Sequence, residues 1–229
     1  MMRVNDRGIN YILFDLDETL YPKETGLMDV VNQRINDYMR LRLGIPASQV
    51  LELRERYYRR YGTTSRGLYR HHHLDVHDYL VYVHDLPVEE YLLPDPFLDE
   101  VLGSIEAEKA VFTNSPRDYV QRVLRALGVE RHFDRIFDIY FLEQINKPDK
   151  RAYLKVIKAL ETDGRDCLIV DDLATNLKPG KELGMVTVLV GDDPILKDPL
   201  GKGSLWEKEE GVDFVIPRVT ELGRIMKRA

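Results

Sequence analysis

Tyr11-Ile12-Leu13-Phe14 is an apolar run of strand length that stops at two carboxylates one residue apart, Asp15 and Asp17, with Thr19 two positions further on. A short apolar run bounded in this way reads as a buried strand. In an open α/β sheet, the carboxyl end of a central strand borders the crevice where ligands bind. Asp15 at that position can serve as a nucleophile or a metal ligand, and Asp17, one turn of loop away, can give and take protons. The bland alternative is a strand running into an acidic turn, because Asp is common in turns.

Three further segments weigh against that alternative. Ala110-Val111-Phe112-Thr113-Asn114 is a second apolar strand that ends in a hydroxyl and an amide. Asn146-Lys147-Pro148-Asp149 places a cation just before a helix start, with Pro148 suited to the first helical position. Cys167-Leu168-Ile169-Val170-Asp171-Asp172 is a third apolar strand and ends in a carboxylate pair. Nucleophile, hydroxyl, lysine and second acidic pair, three of them at strand ends, make one constellation.

Between the first strand and the rest lies a different kind of sequence. Residues 22–92 carry no strand pattern and read as helices near 27–43, 47–61, 65–74 and 76–85, with Gly44 and Gly62 where helix stops are expected. From about 95 the pattern alternates helix and strand. Val120, Val123, Leu124 and Leu127 form one apolar stripe, and Tyr153, Val156, Ile157 and Leu160 form another. Strands follow at 167–171, 185–190 and 213–216, and a closing helix near 218–228. Alternating strands and helices imply an α/β fold with a doubly wound, mainly parallel sheet. The expected organisation is a core of 1–21 and 93–229 with an inserted helical domain at 22–92, Pro94 and Pro96 marking the return.

The four segments resemble the motifs of the haloacid dehalogenase-like hydrolase superfamily, most of whose members are phosphatases, over about residues 9 to 190. Asp15 to Pro22, Tyr61 to Leu68 and Tyr79 to Pro87 further resemble the pyrimidine 5′-nucleotidase branch. The resemblance implies a Rossmann-like core, a helical cap that closes over the site, and Mg²⁺-dependent phosphomonoester hydrolysis through an aspartyl-phosphate. Asp15 is then the nucleophile, and Asp17 is the acid and base that also offers its backbone carbonyl to the metal. Asp171 and Asp172 complete the metal site, Asp172 directly and Asp171 through water. Thr113 and Asn114 donate to the transferring oxygens, and Lys147 neutralises charge on Asp15 and the phosphoryl group. Thr19 is expected to brace the loop, and Asn176 is either a further site residue or a structural partner.

The inserted segment is less specific. Nine of the 13 tyrosines and five of the six histidines lie between 21 and 91. Tyrosines at helical spacing are usually packing groups, with only a few free to stack on a ring. His71, His72 and His73 point about 100° apart on a helix, so they cannot face one ion. Arg54, Arg56, Arg59 and Arg60 read as a solvated face, and Thr63, Thr64 and Arg66 as the better candidates for substrate contacts.

Composition narrows the partners. A net charge of −6 over 229 residues argues against a nucleic-acid polymer, while a small phosphorylated metabolite can still be drawn in by local cations. No run of about 18 apolar residues suggests a membrane span, and Met1 to Asn10 lacks the apolar core of a secretory signal. The lone Cys167 sits in an apolar strand and suits a reducing compartment. The expectation is a cytoplasmic monomer or homodimer. The substrate expected is a pyrimidine nucleoside 5′-monophosphate. The alternatives are a phosphatase for a sugar phosphate or pyridoxal phosphate, a phosphomutase, and a catalytically silent binding protein. Dehalogenation is disfavoured, because it has no use for a second carboxylate at position 17.

Overall fold

A computed structural model describes residues 8–191 and 211–226. Packing divides the chain into two compact units, 1–22 with 93–229, and 23–92. The first unit is built on β1 (Tyr11–Phe14), β2 (Glu108–Phe112), β3 (Arg135–Phe137), β4 (Cys167–Asp171), β5 (Val186–Val190) and β6 (Phe214–Ile216). They form one sheet in the order β3-β2-β1-β4-β5-β6, every adjacent pair parallel. This is the doubly wound α/β arrangement. The order reverses between β1 and β4, which is where such sheets open a ligand crevice.

The continuous apolar runs follow from a sheet covered on both faces. Leu13, Phe112 and Ile169 pack in one cluster with Tyr153 and Val156 of α7 (Lys150–Leu160) and Leu177 of α8 (Ala174–Glu182). Their neighbours along the strands point to the opposite face, and Ile12, Phe14, Val111, Leu168 and Val170 are fully buried there too. Cys167 lies in the first cluster. Burial pushes its thiol up to about 12, which makes it an inert packing group.

Three elements of this unit escape a reading by pattern. β3 is only three residues long. In α8 the helix continues through Pro179 and Gly180, both residues that normally end one. Pro96, one of the two prolines expected to mark the return, also opens α5 (Pro96–Gly103), where Asp95 accepts from the Phe97 and Leu98 amides. Pro148 is not the first residue of α7. Asp149 is its N-cap and accepts from Arg151 N at 3.1 Å. The stripe at 120–127 lies on α6 (Arg117–Leu127). The closing helix is seen as α9 (Leu222–Met226); its expected end at 227–228, like residues 1–7, lies outside the described residues.

The second unit is α1 (Leu27–Leu41), α2 (Ala47–Tyr61), α3 (Thr64–His72) and α4 (Val76–His84). Most of its aromatic side chains are packing. Tyr38 meets Tyr79 edge to face at 5.2 Å, and its hydroxyl donates to Asp78 at 2.8 Å. His71 stacks on Tyr57 and bonds Tyr61 Oη, while His72 bonds Tyr57 Oη. The three histidines therefore serve separate partners or the α3 C-cap, where His73 sits at φ 52°. The solvated arginine face needs one correction. Arg54 is half-buried and ties α2 to α1, donating to Asn32 O, Asn32 Oδ1 and Asn36 Oδ1.

Candidate active site

The site is an extension of the sheet. Asp15 N donates to Val170 O at 2.9 Å, adding one rung to the β1–β4 ladder. Phe14 pairs with Val170, so continuing the register sets Asp15 level with Asp171. Both carboxylates then emerge on the face that α7 and α8 cover. Thr113 is held in the same way beyond β2, by its amide on Phe137 O at 3.1 Å.

Lys147 comes to these carboxylates from the segment before α7. Its ammonium is almost fully buried and donates to Asp15 Oδ1 at 2.8 Å and Asp171 Oδ2 at 2.6 Å. It also lies 5.1 Å from the centre of the Phe112 ring. Burial alone would lower its pKa. The two carboxylates outweigh burial and hold its pKa above the ordinary lysine range. Asn114 fixes the lysine backbone: Lys147 N donates to Asn114 Oδ1 at 2.8 Å and Asn114 Nδ2 donates to Lys147 O at 3.2 Å. The amide side chain is thus engaged in holding the lysine segment, where the sequence points to donation to substrate oxygens. Thr113 Oγ1 accepts from Ser115 N at 3.1 Å, which leaves its own hydrogen to be donated.

Asp171 is fully buried and accepts three hydrogen bonds among the described residues. Besides Lys147, it accepts from Leu173 N at 3.0 Å and Asn176 Nδ2 at 2.9 Å. Asn176 is thereby a structural partner of the acidic pair, steadied by Tyr153 Oη on its carbonyl. Asp15, Asp171 and Asp172 each offer an oxygen, all within 4.8 Å of one another. Three carboxylates face one ammonium, and the surplus shows in their protonation. Burial, opposed by Lys147 and aided by Asp171, raises Asp15 to about 7. Burial and the charges of Asp15 and Asp171 raise Asp172 to about 8. All-oxygen anionic donors in excess of their counter-charge suit a hard divalent cation such as Mg²⁺.

Asp17 stands apart from that cluster and has its own shell. Its Oδ1 accepts from Tyr21 Oη at 2.6 Å and Tyr119 Oη at 2.9 Å, and its Oδ2 accepts from Ser115 Oγ at 2.7 Å. Burial and the Asp17 charge hold both phenols well above the usual tyrosine range, so they stay protonated. Glu18, between Asp17 and Thr19, adopts φ 58°, a conformation that costs a non-glycine residue energy and recurs at functional loops. Thr19 is buried, yet its hydroxyl bonds to nothing among the described residues. Any bracing by Thr19 comes from packing and from its amide on Leu16 O. Thr63, Thr64 and Arg66 lie at the start of α3, where Thr63 Oγ1 caps the helix by accepting from Arg66 N at 3.3 Å.

Ser115, Tyr119 and Tyr21 are the site residues that sequence reasoning did not assign. Tyr119 sits four residues before Val123 on the apolar stripe of α6 and passes for core. The usable signal is a hydroxyl at the N-terminal end of that stripe, just after Thr113.

Comparison with known proteins agrees with this geometry. The chain matches the haloacid dehalogenase-like hydrolase family over residues 9–184. Phosphate metabolism protein 8 of Saccharomyces cerevisiae is 29% identical over 200 residues, which are 80% of this chain and 62% of that protein. The 6-phosphogluconate phosphatase of Escherichia coli is 27% identical over 95 residues, 41% of this chain and 42% of that enzyme. A HAD phosphatase structure from Thermococcus onnurineus aligns with TM-score 0.59 and 20% identity, covering 96% of this chain and 98% of that one. The L-2-haloacid dehalogenase of Xanthobacter autotrophicus aligns with TM-score 0.59 and 18% identity, covering 96% and 99%. These two structures share the fold. With the family match spanning most of the sequence, the chain belongs to the haloacid dehalogenase-like hydrolases.

Proposed function

We propose that this chain is an Mg²⁺-dependent phosphomonoester hydrolase with Asp15 as nucleophile and Asp17 as acid and base. The observation that carries the reading is the division of four carboxylates into two environments. Asp15, Asp171 and Asp172 cluster together, the first two paired with Lys147, whereas Asp17 is held separately by hydroxyls. A halide leaves without a proton, so a dehalogenase has no use for a second carboxylate at position 17; a phosphatase needs a charge-neutralising centre and a second carboxylate that gives a proton to the leaving oxygen. Two of the relatives carry names from phosphate metabolism, which favours the same reading.

Asp15 attacks phosphorus, and its new O–P bond forms as the bond to the leaving oxygen breaks. Lys147 and Thr113 stabilise the charge that builds on the nucleophile and the phosphoryl oxygens. Asp17 gives its proton to the leaving oxygen and later takes one from the water that cleaves the aspartyl-phosphate. Asp15, Asp172 and the Asp17 carbonyl would hold Mg²⁺, with Asp171 behind them through water. Bound there, the cation supplies the positive charge that lets a carboxylate approach a phosphate dianion.

For substrate, we favour a pyrimidine nucleoside 5′-monophosphate, on the motifs at 61–68 and 79–87, with Thr63, Thr64 and Arg66 as the candidates for reading the leaving group. A sugar or sugar-acid phosphate is the second reading, favoured by the 6-phosphogluconate phosphatase relative. A phosphate-release screen of UMP, sugar phosphates, pyridoxal phosphate and p-nitrophenyl phosphate, with Mg²⁺ or EDTA, tests all of this. Mg²⁺-dependent release is expected, fastest from UMP. Release from none of them would refute the phosphatase reading, and undiminished release in EDTA would remove Mg²⁺ from it.

A further inference from the structure

We propose that Tyr21, Ser115 and Tyr119 are positioning residues that orient Asp17 for proton transfer to the leaving oxygen. The inference rests on the phosphomonoesterase reading and deepens it. Both oxygens of the Asp17 carboxylate are engaged, Oδ1 by the two phenols and Oδ2 by the serine. The two phenol oxygens are themselves 3.4 Å apart, within reach of one another. The anchors come from different parts of the chain. Tyr21 lies four residues past Asp17, and Ser115 and Tyr119 lie beyond β2, on the loop after Thr113 and on α6. Tyr21 and Tyr119 are nearly or fully buried, as is Ser115. Three rigidly placed O–H donors fix the plane of one carboxylate on a loop that is otherwise free to turn about the Asp17 χ angles.

This arrangement has a chemical consequence. When the leaving oxygen departs from phosphorus, the O–H bond of Asp17 breaks and negative charge gathers on its carboxylate. Hydroxyls already aimed at those oxygens stabilise that charge without reorganising, as preorganised donors do elsewhere. Their benefit therefore scales with how much the leaving oxygen needs a proton. An alkoxide leaving group needs it fully, and p-nitrophenolate hardly at all.

The test compares kcat/KM for an alkyl phosphate, UMP, with that for p-nitrophenyl phosphate in the wild-type enzyme, Tyr21→Phe, Tyr119→Phe and Ser115→Ala. kcat/KM reports the steps up to cleavage of the ester bond, where leaving groups differ. Each variant is expected to lose on the order of tenfold more on the alkyl phosphate than on the aryl phosphate, the size of one hydrogen bond to a charged group. Added to Asp17→Asn, the same substitutions are expected to cost no further selectivity, since they act through Asp17. Ser115→Thr, which restores the hydroxyl, is expected to recover the alkyl rate. Equal losses on both substrates, or additive losses in the Asp17→Asn background, would overturn the positioning role while leaving the phosphatase reading intact. A wild-type enzyme inactive on these two esters and on the sugar phosphates and pyridoxal phosphate would instead overturn that reading.

Discussion

Asp15 is both the nucleophile proposed for this chain and a member of the buried ion cluster, so its replacement separates chemistry from charge. Asp15→Asn keeps shape but removes the attacking oxygen and one excess negative charge. Turnover is expected to fall by several orders of magnitude, with stability unchanged or raised, because one surplus carboxylate is gone. Residual activity above about 1% in steady-state assays would rule Asp15 out as nucleophile. Lys147→Met has the opposite effect on charge, leaving Asp15 and Asp171 buried without their cation. Breaking such a pair from one side costs about 3–5 kcal/mol, to be read in a denaturant melt. The pH dependence follows from Asp15 at about 7 and Asp172 at about 8, both raised from 3.8. Across that window the folded protein binds protons that the unfolded chain has already lost. Metal-free protein is therefore expected to lose stability as pH climbs from about 4 to about 8. Mg²⁺, which takes the place of those protons, should flatten the slope. Thermal melts at pH 5 and 8.5, with EDTA and with Mg²⁺, check it; identical profiles would show that no cation enters the cluster.

At the scale of elements, close approach decides what propensity does not. Gly67 lies inside α3 and is buried against α2, where an added methyl group would meet Tyr57 Cγ at 2.2 Å and Cβ at 2.4 Å. Alanine in a helix normally gains about 1 kcal/mol over glycine. Overpacking against a side-chain stem costs typically about 1–3 kcal/mol, and here the stem cannot swing away. Gly67→Ala is thus expected to lower the melting temperature of the whole chain. A rise would mean that α2 and α3 are not pressed together at this point. Thr63 meets a related test. Its hydroxyl caps α3, so Thr63→Ala is expected to cost about 1 kcal/mol of stability whatever it does to substrate.

At the scale of the molecule, the two compact units divide the labour proposed here. Asp15, Asp17, Thr113, Lys147 and Asp172 belong to the α/β unit and, in the proposed function, act on the phosphoryl group that every substrate would share. Selection among leaving groups is assigned to the helical unit, through Thr64 and Arg66. Thr64→Ala and Arg66→Ala are expected to lower the ratio of kcat/KM for UMP to that for p-nitrophenyl phosphate, by about tenfold for each 1.4 kcal/mol of selective binding energy removed. Equal losses on both substrates, with the fold intact, would remove these residues as selectors.

What the sequence determined by itself were the features written in contiguous residues. The apolar runs 11–14, 110–112 and 167–170 announce strands buried on both faces, because nothing polar interrupts them. Their terminal Asp15, Thr113 and Asp171 mark the carboxyl edge of a parallel sheet. The helices around Gly44 and Gly62 were legible for the same local reason. Tertiary structure decided everything that depends on two distant segments meeting. The pairing of β1 with β4 brought Asp15 level with Asp171, and Lys147 found them only through the path before α7. Asn114, expected to donate to substrate, was recruited to hold that lysine. The hydroxyls around Asp17 come from positions 21, 115 and 119; a tyrosine on an apolar stripe shows in sequence only its ring. Which partner its hydroxyl finds is settled by the packing of α6 beside the loop after β1, an approach that no local pattern encodes.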